Sequence, residues 1–258
     1  MTVRLSTGCR NGLAASLGFQ GLFNKGYMEV YTGAQPATGD AAKTGTLLGV
    51  VSAGSAALTK ETRATGSITL TGGASGSVDT LLVGGLNIIP DGAVPFNTSL
   101  SQTAADLADA VNRNGMFEAT VAGAVVTLKG RPGSGVLTAA VTSTLTTITT
   151  THVNMGSGVA GVAPVNGLIL GPAAAGFISK LASQIWSFNG LAIGTAGWFR
   201  LYGSDTGDTG AIISGAPYYP RVDGSIAVSG GDMSLSNIAI TIGSPNTIDA
   251  FSLIVPAA

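Results

Sequence analysis

Glycine, proline, asparagine and aspartate cut the apolar stretches of this chain into pieces too short for most of it to be helical. Beyond residue 163, extended segments of three to six residues follow one another: Phe177–Leu181, Gln184–Phe188, Gly197–Tyr202, Ala211–Ile213, Ser225–Val228, Ile238–Ile242 and Phe251–Val255. Turn residues fill every gap. Short strands at this spacing predict an antiparallel sandwich or barrel rather than a parallel α/β sheet. No repeat of fixed period is visible, which argues against a solenoid.

The first 63 residues open with a short helix. Ser6 or Thr7 can cap it, Leu13, Leu17 and Phe19 give it an apolar side, and Gly18 breaks it. Gly26–Tyr31 alternates like a half-buried strand, residues 32–40 are rich in turn formers, and Leu47–Val51 reads as a buried strand. Residues 64–162 have a different character. Strands are predicted at Ser67–Thr71 and Val78–Val83, with short extended pieces at Leu86–Ile89 and Val94–Phe96. A helix follows over Ser101–Asn112, because Leu100, Ala104, Leu107 and Val111 share one face of a 3.6-residue period. Ser99 or Ser101 caps its start, and Asn114-Gly115 closes its end. Phe117–Val121 and Ala124–Lys129 flank Ala122-Gly123 as a hairpin, and the β-branched tract Val141–Thr151 reads as one strand.

Charge narrows the function classes. Charged residues are 10% of the 258, the net charge is -1, and the twelve basic residues are scattered singly. Nucleic-acid and anionic-membrane binding need clustered Lys and Arg, so neither partner is expected. Mean hydropathy is +0.43, yet the longest apolar stretch, Leu168–Ile178, is broken by Gly171, Pro172 and Gly176, and no transmembrane helix is expected. A surface this poor in charge exposes apolar patches, so partner subunits are expected to cover much of it. The lone Cys9 rules out an internal disulfide. No apolar leader precedes Leu5–Cys9, so use without export by a leader is expected.

Two stretches resemble known families. Met28–Leu48 is similar to the opening of a family of small tailed-phage virion proteins. That family also carries segments like Gly194–Leu201, an Arg-x-Asp-Gly turn like Arg221-Val222-Asp223-Gly224, and a closing strand pair like Ile238–Ile242 and Thr247–Val255. Between these parts, Val78–Gly85, Val94–Ser99, the Ala-rich helix, Phe117–Thr120 and Thr146–Asn154 resemble a different recurring phage unit. The resemblance implies a mainly β protein: a β-sandwich or jelly-roll-like core from residues 1–63 and 163–258, with a small α+β domain inserted over 64–162.

Candidate chemistry is sparse. His152 alone cannot build a metal cluster, and Cys9 reads as a small buried apolar residue. The run Gly39–Gly45 has a Lys-Thr pair but lacks the preceding glycine of a phosphate loop, and no nucleophile elbow is found. Gly203–Gly210 offers two carboxylates without the spacing of a calcium loop, and reads as a turn. No catalytic, cofactor or metal residue is therefore expected. Trp186 and Trp198 read as core or subunit-interface side chains, with a sugar-stacking platform as the alternative. Arg200, beside Trp198 and Tyr202, could make a cation–π contact or reach a partner carboxylate. Trp186, Trp198, Arg200, Tyr218 and Tyr219 are the candidate interface.

The expectation is a non-enzymatic virion subunit, assembled in the host cytoplasm, contacting the major capsid protein or other virion subunits and forming homo-oligomers. Capsid decoration leads; a neck, collar or tail component and a host-surface glycan-binding module remain open. Replacing residues 65–162 by a short Gly-Ser bridge should leave a folded core, measured as soluble protein that melts cooperatively. Loss of that cooperative transition would count against an insertion.

Overall fold

The computed structural model describes residues 3–14, 18–208, 210 and 219–254. The protein is mainly β, 44% strand and 12% helix, with large curled sheets in a sandwich-like arrangement and a small helical insert. The chain opens with β1 (Arg4–Leu5), α1 (Thr7–Ala14), α2 (Gly18–Phe23), β2 (Tyr27–Thr32) and β3 (Leu47–Ala53). Next come β4 (Thr65–Gly72), β5 (Ser77–Val83), β6 (Leu86–Asn87), β7 (Val94–Pro95), α3 (Leu100–Asn114), β8 (Glu118–Ala122), β9 (Val125–Lys129), β10 (Val141–Thr146) and β11 (Thr149–Val153). It closes with β12 (Phe177–Ser179), β13 (Trp186–Asn189), β14 (Gly194–Tyr202), β15 (Arg221–Ala227), β16 (Met233–Ser234), β17 (Ala239–Ile240), β18 (Pro245–Ile248) and β19 (Ala250–Ile254). Two compact units result, one of residues 1–60 with 164–258 and one of residues 61–163. No helix among the described residues is long and apolar enough to cross a membrane.

The first unit is one sheet in the order β12-β19-β16-β15-β14-β2-β3-β13-β18, with β1 added to β15 and β17 to β14. Six strand steps separate β19 from β13, which in a flat sheet would be roughly 29 Å. Instead, the Trp186 ring of β13 lies 5.4 Å from Phe251 of β19, and Phe199 of β14 meets the same Phe251 edge-on at 5.6 Å. The sheet curls until its ends face each other, and Met28, Val30, Val51, Leu201, Val222 and Ile248 fill the space between. Small residues permit the tight curl. A Cβ on Gly49 would stand 2.0 Å from the Phe188 ring, so the glycine in β3 is room for β13's aromatic.

The second unit has its own core. One four-stranded sheet runs β11-β4-β9-β8, and another joins β10, β5, β6 and β7. Helix α3 turns Ala104, Leu107, Ala108 and Val111 onto the core. Ser99 is the cap: its hydroxyl accepts from Gln102 N at 3.1 Å, so the helix starts at Leu100 rather than Ser101, and Gly115 ends it in the left-handed region at φ 66°.

Three local expectations change. The threonine tract is two strands in two sheets, because Thr147 takes a left-handed φ of 56° and its hydroxyl donates to Ser75 O at 2.6 Å. Strand propensity along the tract carries no sign of that reversal. Arg221–Gly224 is not a turn but the start of β15, paired residue by residue with β14. The hairpin loop is Gly123-Ala124, shifted by one residue, since Ala122 pairs with Val125. The expected strand at Ala211–Ile213 lies outside the described residues.

Candidate functional site

Three adjacent strands, β2, β14 and β15, are buried along nearly their whole lengths, so the sheet is covered on both faces there. Alternation sends Met28, Val30, Phe199, Leu201 and Val222 to the apolar core. The opposite face receives Tyr27, Glu29 and Tyr31 from β2, Trp198, Arg200 and Tyr202 from β14, and Arg221, Asp223 and Ser225 from β15. Register puts these nine residues in three rows: Tyr31–Trp198–Ser225, Glu29–Arg200–Asp223 and Tyr27–Tyr202–Arg221. The outer rows stack their rings, Tyr31 on Trp198 at 4.7 Å and Tyr27 on Tyr202 at 4.6 Å. In the middle row, Arg200 grips Asp223 with two hydrogen bonds, Nε to Oδ1 at 2.6 Å and Nη2 to Oδ2 at 2.7 Å.

Loops close over this face. Arg200 Nη1 donates to Ala41 O at 3.0 Å, and Asp40 accepts from Thr7 N and Thr7 Oγ1 at the start of α1. Arg221 donates Nε and Nη2 to Asp208 at 3.0 and 2.7 Å. Glu29 accepts from Tyr31 and Tyr202 hydroxyls and from Lys43 at 3.3 Å. Lys60 reaches the Tyr27 hydroxyl at 2.7 Å.

Burial is the main force on the ionisation of these groups. It pushes the Tyr27, Tyr31 and Tyr202 phenols well above their ordinary value, with the Glu29 charge adding to the effect. It lowers the Lys60 ammonium. For Arg200 burial alone would act downward, but the hydrogen bonds and charge of Asp223 more than reverse it. The layer holds its charges in fixed internal pairs, and this chemistry locks strands together.

The other candidates fall apart in space. Asp205 accepts from Gly207 N at 2.8 Å and Asp208 from Gly210 N at 2.9 Å, so each carboxylate is tied to backbone two residues on. Among the described residues no group of three or more His, Cys, Asp or Glu is placed to hold a metal ion. His152 lies on an exposed strand, 3.0 Å from Ser143 Oγ, and burial lowers its imidazole. Cys9 is buried, and its thiol is pushed up to about 12.

Of the candidate interface residues, Trp186, Trp198 and Arg200 are each 0% exposed. Their side chains are core and lattice members within their own unit and present no surface to a partner or a sugar ring. Tyr219 is half-buried and its carbonyl accepts from Ser6 Oγ at 2.9 Å. Tyr218 lies outside the described residues. Sequence reading missed a different surface. Leu191 (56% exposed) and Ile193 (74%) project from the loop before β14, while Ala192 between them packs inward. Ile242 (69%) stands at the tip of the turn after β17. The two loops are tied side by side by Gly190 N to Ser244 O at 2.9 Å and Gly243 N to Gly190 O at 2.8 Å. Together they form an apolar corner. The available signal was an isoleucine beside glycine in two turn-like segments, where core packing has no use for it.

No protein-family model matches the chain, and comparison with curated proteins finds no significant match.

Two outcomes follow from the buried layer. Arg200→Ala should cost about 3–5 kcal/mol in urea unfolding because Asp223 is left buried and uncompensated, whereas Arg200→Met with Asp223→Leu should cost less than either single change. In alkaline titration followed by phenolate absorbance, at most two of the five tyrosines should ionise before unfolding. The three buried phenols are raised in the folded state, so their contribution is complete below about pH 10 and is lost as pH rises above it, by about 1.4 kcal/mol per pH unit for each.

Proposed function

We propose that the chain is a structural subunit of a bacteriophage virion, a capsid decoration protein that stabilises the head through subunit–subunit contacts. The observation that supports this most is the inversion of surface and interior in the first unit. Two arginine–aspartate pairs, Arg200–Asp223 and Arg221–Asp208, are buried inside it, while Leu191, Ile193 and Ile242 stand out to solvent on adjoining loops. An exposed apolar cluster of this kind marks a contact surface. Three of the segments that resemble phage virion proteins also lie together: Met28–Leu48 runs from β2 into β3, Gly194–Leu201 is most of β14, and Arg221–Gly224 opens β15, four neighbouring strands, while the closing segment Thr247–Val255 lies farther along the sheet.

The mechanism is mass action. A subunit that binds only the assembled shell lowers the free energy of that state, and many weak contacts repeated over a lattice add up. No step needs a reactive group.

Copy number tests the reading. Imaging and quantitative mass spectrometry of purified particles should find hundreds of copies spread over the head; twelve or fewer at one vertex would replace it with a neck or tail role. Ile193→Glu should leave unfolding free energy within about 0.5 kcal/mol of the parent, since the side chain is outside the core. The same change should weaken binding to undecorated heads by about tenfold or more in a co-sedimentation assay. Undiminished binding would remove the corner from the contact.

A further inference from the structure

The end strand of one sheet in the second unit carries a side chain where another strand would pair. In the order β11-β4-β9-β8, strand β8 has β9 on one side only. On its other side, Ala119 N donates to Asn112 Oδ1 at 2.8 Å and Asn112 Nδ2 donates to Ala119 O at 2.9 Å. In an antiparallel ladder a residue directs its N–H and C=O to the same side, and the next residue directs them to the opposite side. Glu118, Thr120 and Ala122 therefore serve β9, and Ala119 and Val121 face outward. Asn112 closes the first of these two positions with the donor and acceptor that an incoming strand would bring. Val121 is left, exposed, as the single open position.

The carboxamide is not needed to finish its helix. Gly115 N already donates to Val111 O and Asn112 O, closing the last turn of α3. The opposite end of the sheet is covered differently, with β11 bound to β10 through Ser143 to Thr150 at 3.3 Å and to His152 at 3.0 Å. An end strand with free backbone groups is a template for pairing with another chain. The hazard grows when many copies sit side by side.

We propose that Asn112 is a strand mimic that shuts the β8 edge against β-strand pairing with a second copy of this chain. It confines association to other surfaces, and this holds whether or not the protein decorates a capsid. With Asn112 removed, Ala119 and Val121 together offer two consecutive outward pairing positions, enough to seat an extended strand from another copy.

The test uses the full chain. Asn112→Ala, compared with the parent by sedimentation velocity over a wide concentration range, should self-associate about tenfold more tightly or more. Adding Val121→Pro, which removes the other outward N–H without touching the β9 ladder, should restore the parental behaviour. Parental association of Asn112→Ala, or association that Val121→Pro fails to reverse, overturns the proposal. Hydrogen exchange on the unaltered protein decides the case even if Asn112→Ala does not fold: the Ala119 amide should exchange at least tenfold more slowly than the Val121 amide. Equal rates would mean that the edge is not shut.

Discussion

The Arg200–Asp223 pair sits at the centre of the first unit, with both side chains fully buried between strands and loops. Two charges removed from water are costly unless their geometry is close to ideal and their remaining groups are satisfied. Here the guanidinium meets the carboxylate through two parallel bonds and spends its third nitrogen on Ala41 O. The consequence is register. A slip of β15 by one residue against β14 would turn Asp223 into the apolar core and bring Val222 out, leaving Arg200 without its carboxylate. Only one pairing keeps every charge matched, so the pair fixes the strands around which the rest of the sheet curls.

Stacked aromatics extend that lock to β2. Tyr31 on Trp198 and Tyr27 on Tyr202 flank the charged row, and Glu29 gathers the Tyr31 and Tyr202 hydroxyls and the Lys43 ammonium. Such ring pairs contribute about 0.5–1.5 kcal/mol each beyond their buried area. The layer makes the centre of the sheet rigid on the face that sandwich proteins often leave to solvent. Two arginines and two aspartates are spent inside this unit, while Leu191, Ile193 and Ile242 stand exposed at its loop tips.

Much of the fold was legible in residue patterns. The segments Gly26–Tyr31 and Gly197–Tyr202 marked β2 and β14, although β2 is buried on both faces rather than half-buried, and the 3.6-residue spacing of Leu100, Ala104, Leu107 and Val111 marked α3 along with its caps. Boundaries and partners were less so. Thr147 reverses the chain inside a uniform β-branched tract, and Arg221–Gly224, with its aspartate and glycine, looks like a turn yet lies in a central strand. The candidate site was the least legible part. Trp186, Trp198 and Arg200 stood out as large or charged residues in a chain of small neutral ones, and they proved to be interior, while Ile193 and Ile242 resembled ordinary strand residues and proved to be surface.

The sequence alone determined the alternation, the scarcity of charge and the single strong helix, because each of these is a matter of composition or of neighbours a few residues apart. Only the tertiary structure decided which charge meets which. Asp223 finds Arg200 across a strand pair, Asp208 finds Arg221, and Asn112 finds the free edge of β8. Those meetings depend on strand order and register, which are fixed by the joint burial of residues far apart in the chain. Whether a tryptophan is core or contact surface is settled at the same level: the curl of the sheet buries Trp186 against Phe251, and Trp198 is buried on the opposite face, stacked on Tyr31.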